Sequence, residues 1–267
     1  MLIAAALVYA AIAGVMYASQ TSMLFPTGLV ADAPAVLPAG AERVGLATAD
    51  GATLAGLRLP GPGERAPLVL GFGGNAWNAD HLAMFLRGLS PDAEVVTFHY
   101  RGYRPSTGKP SAAALLADAV AIHDALVPAG SARRVYAVGL SLGAGVAAHL
   151  ARERSLAGLV LVSPFDSLGA VAQGHYFWLP VKLLLRHDID AAAAMAAHAR
   201  PTAVIRAGRD TIIPPRRTEA LVPAIRRLVR HQVIADADHN DLYDRSEFAA
   251  AYREALAAVR AASEQPE

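Results

Sequence analysis

The chain opens on eighteen residues without a charged side chain, MLIAAALVYAAIAGVMYA, apolar on every helical face. At 1.5 Å per residue this run reaches roughly 27 Å, enough for a short bilayer crossing. A secretory signal competes with that reading, but the basic leading region is missing and Tyr17-Ala18-Ser19 makes a poor cleavage site. A buried core helix is the third option. We read an uncleaved membrane anchor over residues 1–20 and a linker over 21–42 that carries Pro26, Pro34 and Pro38. No Lys or Arg precedes Arg43, so the positive-inside rule assigns no orientation. The expected location is a membrane crossed once, taken to be a bacterial inner membrane.

From residue 43 the pattern changes. Two short β-prone runs, Arg43–Thr48 and Thr53–Leu59, flank Asp50-Gly51, a hairpin signal. Continuous apolar runs follow at Pro67–Phe72, Glu94–Tyr100, Arg134–Leu140, Gly158–Ser163, Thr202–Ala207 and His231–Ala235. Helical periodicity occupies His81–Leu89, Ala112–Leu126, Leu142–Arg152, Pro215–Arg230 and Tyr243–Ala262. Short apolar strands alternating with helices predict an α/β domain over 43–267, with a mostly parallel sheet covered on both faces. Asp166–Arg200 is too long for a plain connection and reads as a cap-like excursion.

Composition narrows the classes. The 267 residues carry 24 basic and 23 acidic side chains, a net charge of +1 and no polybasic block, which argues against a nucleic-acid partner. The absence of cysteine excludes disulfides, thiolate metal sites and a Cys nucleophile. No metal-ligand cluster is apparent, and the chemistry below requires neither metal nor organic cofactor.

Gly139-Leu140-Ser141-Leu142-Gly143 joins a predicted strand directly to a predicted helix. A serine there sits on a sharp turn, and the helix N-terminus behind it offers unpaired N–H groups to an anion. A hydroxyl needs a base, and the base needs an acid to hold its tautomer. Asp210 and His239 both follow later strands and fall at the same sheet edge as Ser141. Asp166 also follows a strand and is the rival acid; we prefer Asp210, whose strand leads toward the histidine loop. Asp236 and Asp238 read as turn formers, and the other eight histidines as structural. The loop Gly71-Phe72-Gly73-Gly74-Asn75 would supply one oxyanion donor, the N–H of Asn75, and the nucleophile turn the other, the N–H of Leu142.

A different class shares that loop. Gly71-x-Gly73-x-x-Ala76 matches the dinucleotide fingerprint, and Arg101 at the next strand end could accept a 2′-phosphate, so an NADP-binding oxidoreductase is an alternative. A membrane-tethered, non-catalytic interaction protein on the same scaffold is another. Trp77 and Tyr176-Phe177-Trp178 are candidates for lining an acyl pocket or for plain packing.

Taken with Tyr100-Arg101-Gly102-Tyr103, Ser163-Pro164-Phe165, Gly208-Arg209-Asp210 and His239-Asn240-Asp241, the ordered motifs resemble the α/β-hydrolase superfamily. Within it they are most similar to membrane-anchored serine hydrolases of the BEM46 and ABHD13 type. The resemblance runs from about Met23 to Asp241 and implies Ser141 as nucleophile, His239 as base and Asp210 as acid. It implies hydrolysis of a carboxylic ester, lipid and thioester included, through an acyl-enzyme, with a small-molecule or lipid acyl substrate. Two positions depart: Gly73 stands where the family usually has His, and Arg104 where Gly is usual.

Overall fold

The computed structural model describes residues 1–31, 34, 36–63 and 65–265. Helix α1 (Leu2–Leu24) runs four residues past the expected anchor. It stops at Phe25, whose non-helical backbone suits a residue preceding Pro26. The expected linker is therefore partly helix, and its residues 32, 33 and 35 lie outside those described.

An antiparallel hairpin, β1 (Glu42–Ala47) and β2 (Thr53–Leu59), begins the sheet. Its turn contains Gly51 at φ +87°, a conformation that disfavours any side chain. The remaining strands are β3 (Leu68–Phe72), β4 (Glu94–Phe98), β5 (Val135–Leu140), β6 (Gly158–Val162), β7 (Thr202–Ala207) and β8 (Leu228–Ile234). The spatial order is β1-β2-β4-β3-β5-β6-β7-β8, antiparallel up to the β2–β4 pair and parallel beyond it.

Helices α2 (Ala79–Leu89) and α9 (Ser246–Ser263) cover one face; α3 (Ala112–Leu126), α4 (Leu142–Glu153) and α8 (Pro215–Leu221) cover the other. Successive strand residues serve opposite cores: Leu68 and Leu70 pack with α3 and α4, and Val69 with α2 and α9. That double burial is why these strands read as unbroken apolar runs. The excursion after β6 folds as α5 (Leu168–His175), α6 (Val181–Leu184) and α7 (Ala191–Ala196).

One expected element is corrected. The helix expected over Pro215–Arg230 ends at Leu221, with a single 3₁₀ turn over Val222–Ala224. Pro223 lacks the N–H and crowds the preceding turn. The chain extends at Ile225, and β8 starts three residues before the expected His231.

Candidate active site

Ser141 stands between β5 and α4 at φ 54°, ψ −118°, one of two non-glycine residues with positive φ among those described. Its N–H donates to the Val162 carbonyl at 2.9 Å, and its own carbonyl accepts from Ala144 N–H at 2.9 Å. The flanking glycines are steric requirements. A Cβ on Gly139 would lie 2.3 Å from the Gly143 carbonyl oxygen, and one on Gly143 would lie 2.1 Å from that of Phe72. The turn can therefore press against the loop after β3 only with hydrogen at both positions.

Three loops at the carboxyl edge bring the remaining groups to this turn. His239 Nε2 lies 2.9 Å from Ser141 Oγ, and His239 Nδ1 lies 2.7 Å from Asp210 Oδ2. Asp210 and His239 are both buried. The other oxygen of Asp210 accepts N–H bonds from Ile212 (3.0 Å) and Ile213 (2.6 Å), which fixes the carboxylate plane. With Asp210 accepting at Nδ1, the neutral ring carries its proton there, and Nε2 is left to accept from the serine hydroxyl.

The rival acid goes elsewhere: Asp166 pairs with Arg217 at 3.1 Å. Asp238, read as a turn former, has a wider reach. Its carboxylate accepts from the N–H and hydroxyl of Thr211 and from the N–H of His239, strapping the acid loop to the histidine loop. Those bonds hold its carboxyl below the ordinary aspartate range.

Asn75 and Leu142 both line the cavity in front of Ser141. Leu142 opens α4, where the first N–H groups have no intrahelical acceptor. Gly74 lies against Ser141, with the place of a Cβ only 3.5 Å from the serine Cβ. The loop is held from behind by two phenols. The Tyr100 hydroxyl donates to the Gly73 carbonyl at 2.7 Å, and the Tyr103 hydroxyl to the Asn75 carbonyl at 2.8 Å. Burial pushes both phenols up, so they remain donors. The sequence reading gave these tyrosines no role; the only signal was their spacing around Arg101-Gly102 just past a strand.

Arg101 ties neighbouring loops, bonding Asp118 through Nε at 3.0 Å and also meeting Asp50. It is buried in that pairing, and Leu86 and Thr97 occupy the space around Gly71. The two features wanted by a dinucleotide are thus both used in packing.

The cavity has a volume of about 560 Å³, within the ~300–1,000 Å³ usual for small-molecule sites. Ser141, His239, Trp77 and Tyr243 line it, together with residues of the excursion and of α1. The ring centroids of Trp77 and Tyr243 are 4.9 Å apart, an edge-on aromatic contact. Among the described residues, no Asp, Glu, Lys or Arg lines the cavity.

A family model described as alpha/beta hydrolase fold matches residues 68–193. An uncharacterized Mycobacterium tuberculosis protein is 38% identical over 244 residues, covering 88% of this chain and 86% of that one. The lysophosphatidylserine lipase ABHD12 of Gallus gallus is 36% identical over 123 residues, 43% of this chain and 32% of the lipase, so the chain spans about a third of that relative. Among solved structures, a bacterial membrane phospholipase A superposes with a TM-score of 0.64 at 18% identity, covering 97% of this chain and 96% of that one. Sheet order, the sharp serine turn and the family model agree: the chain belongs to the α/β-hydrolase superfamily.

Proposed function

We propose that the protein is a membrane-anchored serine hydrolase of carboxylic esters. The observation that carries the reading is the relay Ser141–His239–Asp210, closed at 2.9 and 2.7 Å beneath a neutral cavity. In the first half-reaction Ser141 Oγ bonds to the acyl carbon while His239 Nε2 takes the hydroxyl proton. The carbonyl electron pair moves onto its oxygen, which the N–H groups of Asn75 and Leu142 hold. Collapse breaks the ester C–O bond, and the leaving alkoxide takes the proton from Nε2. Water then adds to the acyl carbon, giving its proton to Nε2. Ser141 leaves with that proton, and the carboxylic acid is released. Asp210 keeps the ring oriented and stabilises the imidazolium.

Support for an acyl-lipid or thioester substrate comes from the uncharged lining and from the likeness to a lysophosphatidylserine lipase. Support for the anchor comes from α1, which is long and apolar enough to cross a membrane and buries none of its residues in the protein. The narrower BEM46-like kinship and the division into anchor, short linker and hydrolase domain belong to the same proposal.

Hydrolysis of p-nitrophenyl esters by the full chain and its variants tests the reading. Ser141→Ala and His239→Ala should each remove nearly all turnover, and Asp210→Asn should lower kcat by about 10⁴-fold. Retained hydrolysis in Ser141→Ala would refute the assignment of the nucleophile, and a wild type without hydrolysis would leave the non-catalytic scaffold reading in its place.

A further inference from the structure

Helix α1 is more than a tether on the surface of the domain. Its partly covered positions are Ala13, Met16, Ser19, Gln20, Thr21 and Leu24, of which Ala13, Met16, Gln20 and Leu24 recur every three or four residues and so share one face. That face docks on the excursion and on the loop after β3. The Tyr9 hydroxyl donates to the Trp178 carbonyl at 3.0 Å, and Gln20 Nε2 to the Leu184 carbonyl at 3.0 Å. Gln20 Oε1 accepts from Arg186 N–H at 2.7 Å, and the Arg186 guanidinium lies 4.8 Å above the Tyr17 ring. Thr21 Oγ1 meets His187 Nε2 at 2.8 Å, and Asn75 Nδ2 donates to the Leu24 carbonyl at 3.3 Å. Met16, Tyr17, Gln20, Met23 and Leu24 then form one wall of the cavity above Ser141.

Geometry decides how deep the excursion sits. The apolar run Leu2–Ala18 is about 26 Å long, less than the ~30 Å of a bilayer core, so all of it is needed inside the membrane. Trp178 touches that run at Tyr9, about 15 Å along the helix from polar Ser19. The excursion cannot stay in water while α1 spans the bilayer, because its tip is fastened halfway up the span. The tip has a surface suited to lipid: Phe177 is 81% and Leu183 84% exposed, with no apolar partner covering them. Exposed Lys182 has a stem long enough for its charge to reach a headgroup layer, and the Arg186 guanidinium is held by the Tyr17 carbonyl and ring near the polar end of α1.

We infer that the cavity is filled from within the bilayer: the acyl chain of an ester lipid passes into the space walled by the last turns of α1 and by the α5–α6 tip, which is sunk in the same leaflet. The inference rests on the serine-hydrolase reading and adds the source of the substrate and a wall that the hydrolase domain alone does not provide. The enclosed part of the substrate is the uncharged acyl portion, because no Asp, Glu, Lys or Arg among the described residues lines the cavity.

Two measurements on the full chain test it. The first compares kcat/KM for p-nitrophenyl palmitate and p-nitrophenyl butyrate in detergent micelles, for the wild type, Met16→Trp and Met23→Trp. Filling the α1 wall should lower the palmitate-to-butyrate ratio at least tenfold in either variant. An unchanged ratio in both would overturn the inference while leaving the serine-hydrolase reading intact. Failure of the wild type to hydrolyse either ester would overturn both. The second uses the chain's two tryptophans. In a Trp77→Phe background reconstituted into phosphatidylcholine vesicles, bromination of the acyl chains should at least halve Trp178 emission. Emission as bright as in unbrominated vesicles would place the tip in water and overturn the inference.

Discussion

At the scale of single residues, the site depends on backbone positions that tolerate little change. Ser141 holds a φ of 54°, a strained conformation that costs roughly 1–3 kcal/mol for a residue with a Cβ. Ser141→Gly should therefore be more stable than Ser141→Ala by about 1 kcal/mol, after the extra chain entropy of glycine is set against the relieved strain. Urea unfolding of the two variants checks this; an Ala variant equal to or more stable than the Gly variant would contradict it. Tyr103 does not line the cavity, but its hydroxyl fixes the carbonyl of Asn75, which does, so it acts as a positioning residue. Tyr103→Phe should cost about 1 kcal/mol of stability and lower kcat several-fold, with KM for butyrate esters little changed. A pure stability loss with unaltered kcat would show that the phenol supports the fold alone.

At the scale of elements, stability turns on how loops join strands. His198 precedes β7; its Nδ1 accepts from Arg200 N–H at 3.1 Å, and its buried Nε2 has no hydrogen-bond partner among the described residues. Burial, with Arg200 and Arg226 nearby, pushes its pKa down to about 4. Between about pH 4 and the ordinary value near 6.5, the unfolded chain binds this proton and the folded chain does not. Stability should fall as pH drops through that window, and His198→Asn, which keeps an acceptor for Arg200 N–H, should lose less. Melting temperatures from pH 7 to pH 4 measure the difference; parallel curves would contradict it.

Most elements were legible because their cause is local or patterned. Strands buried on both faces announced themselves as apolar runs, and Gly139 and Gly143 flagged the serine turn by the space they leave. The α8 boundary was missed because helical periodicity outweighed Pro223, the one residue that contradicted it. The hydroxyls of Tyr100 and Tyr103 and the Asp238 strap were missed for another reason: each joins loops far apart along the chain, and no spacing encodes such a bond.

At the scale of the molecule, the apolar helix α1 and the sheet-bearing domain line the same cavity, and the proposed chemistry and the proposed membrane attachment meet at Leu24 and Asn75. Sequence alone separated the two by a linker, because docking of α1 depends on Tyr9, Gln20 and Thr21, ordinary polar residues whose partners lie more than 150 positions away. The proposed chemistry depends on one nucleophile, Ser141. The most direct measurement is intact-mass and peptide mapping of the full chain after reaction with a fluorophosphonate. One adduct per chain, on the peptide containing Ser141 and absent from His239→Ala on the same time scale, is the predicted result. An unmodified Ser141, or an adduct formed equally fast without His239, would contradict it.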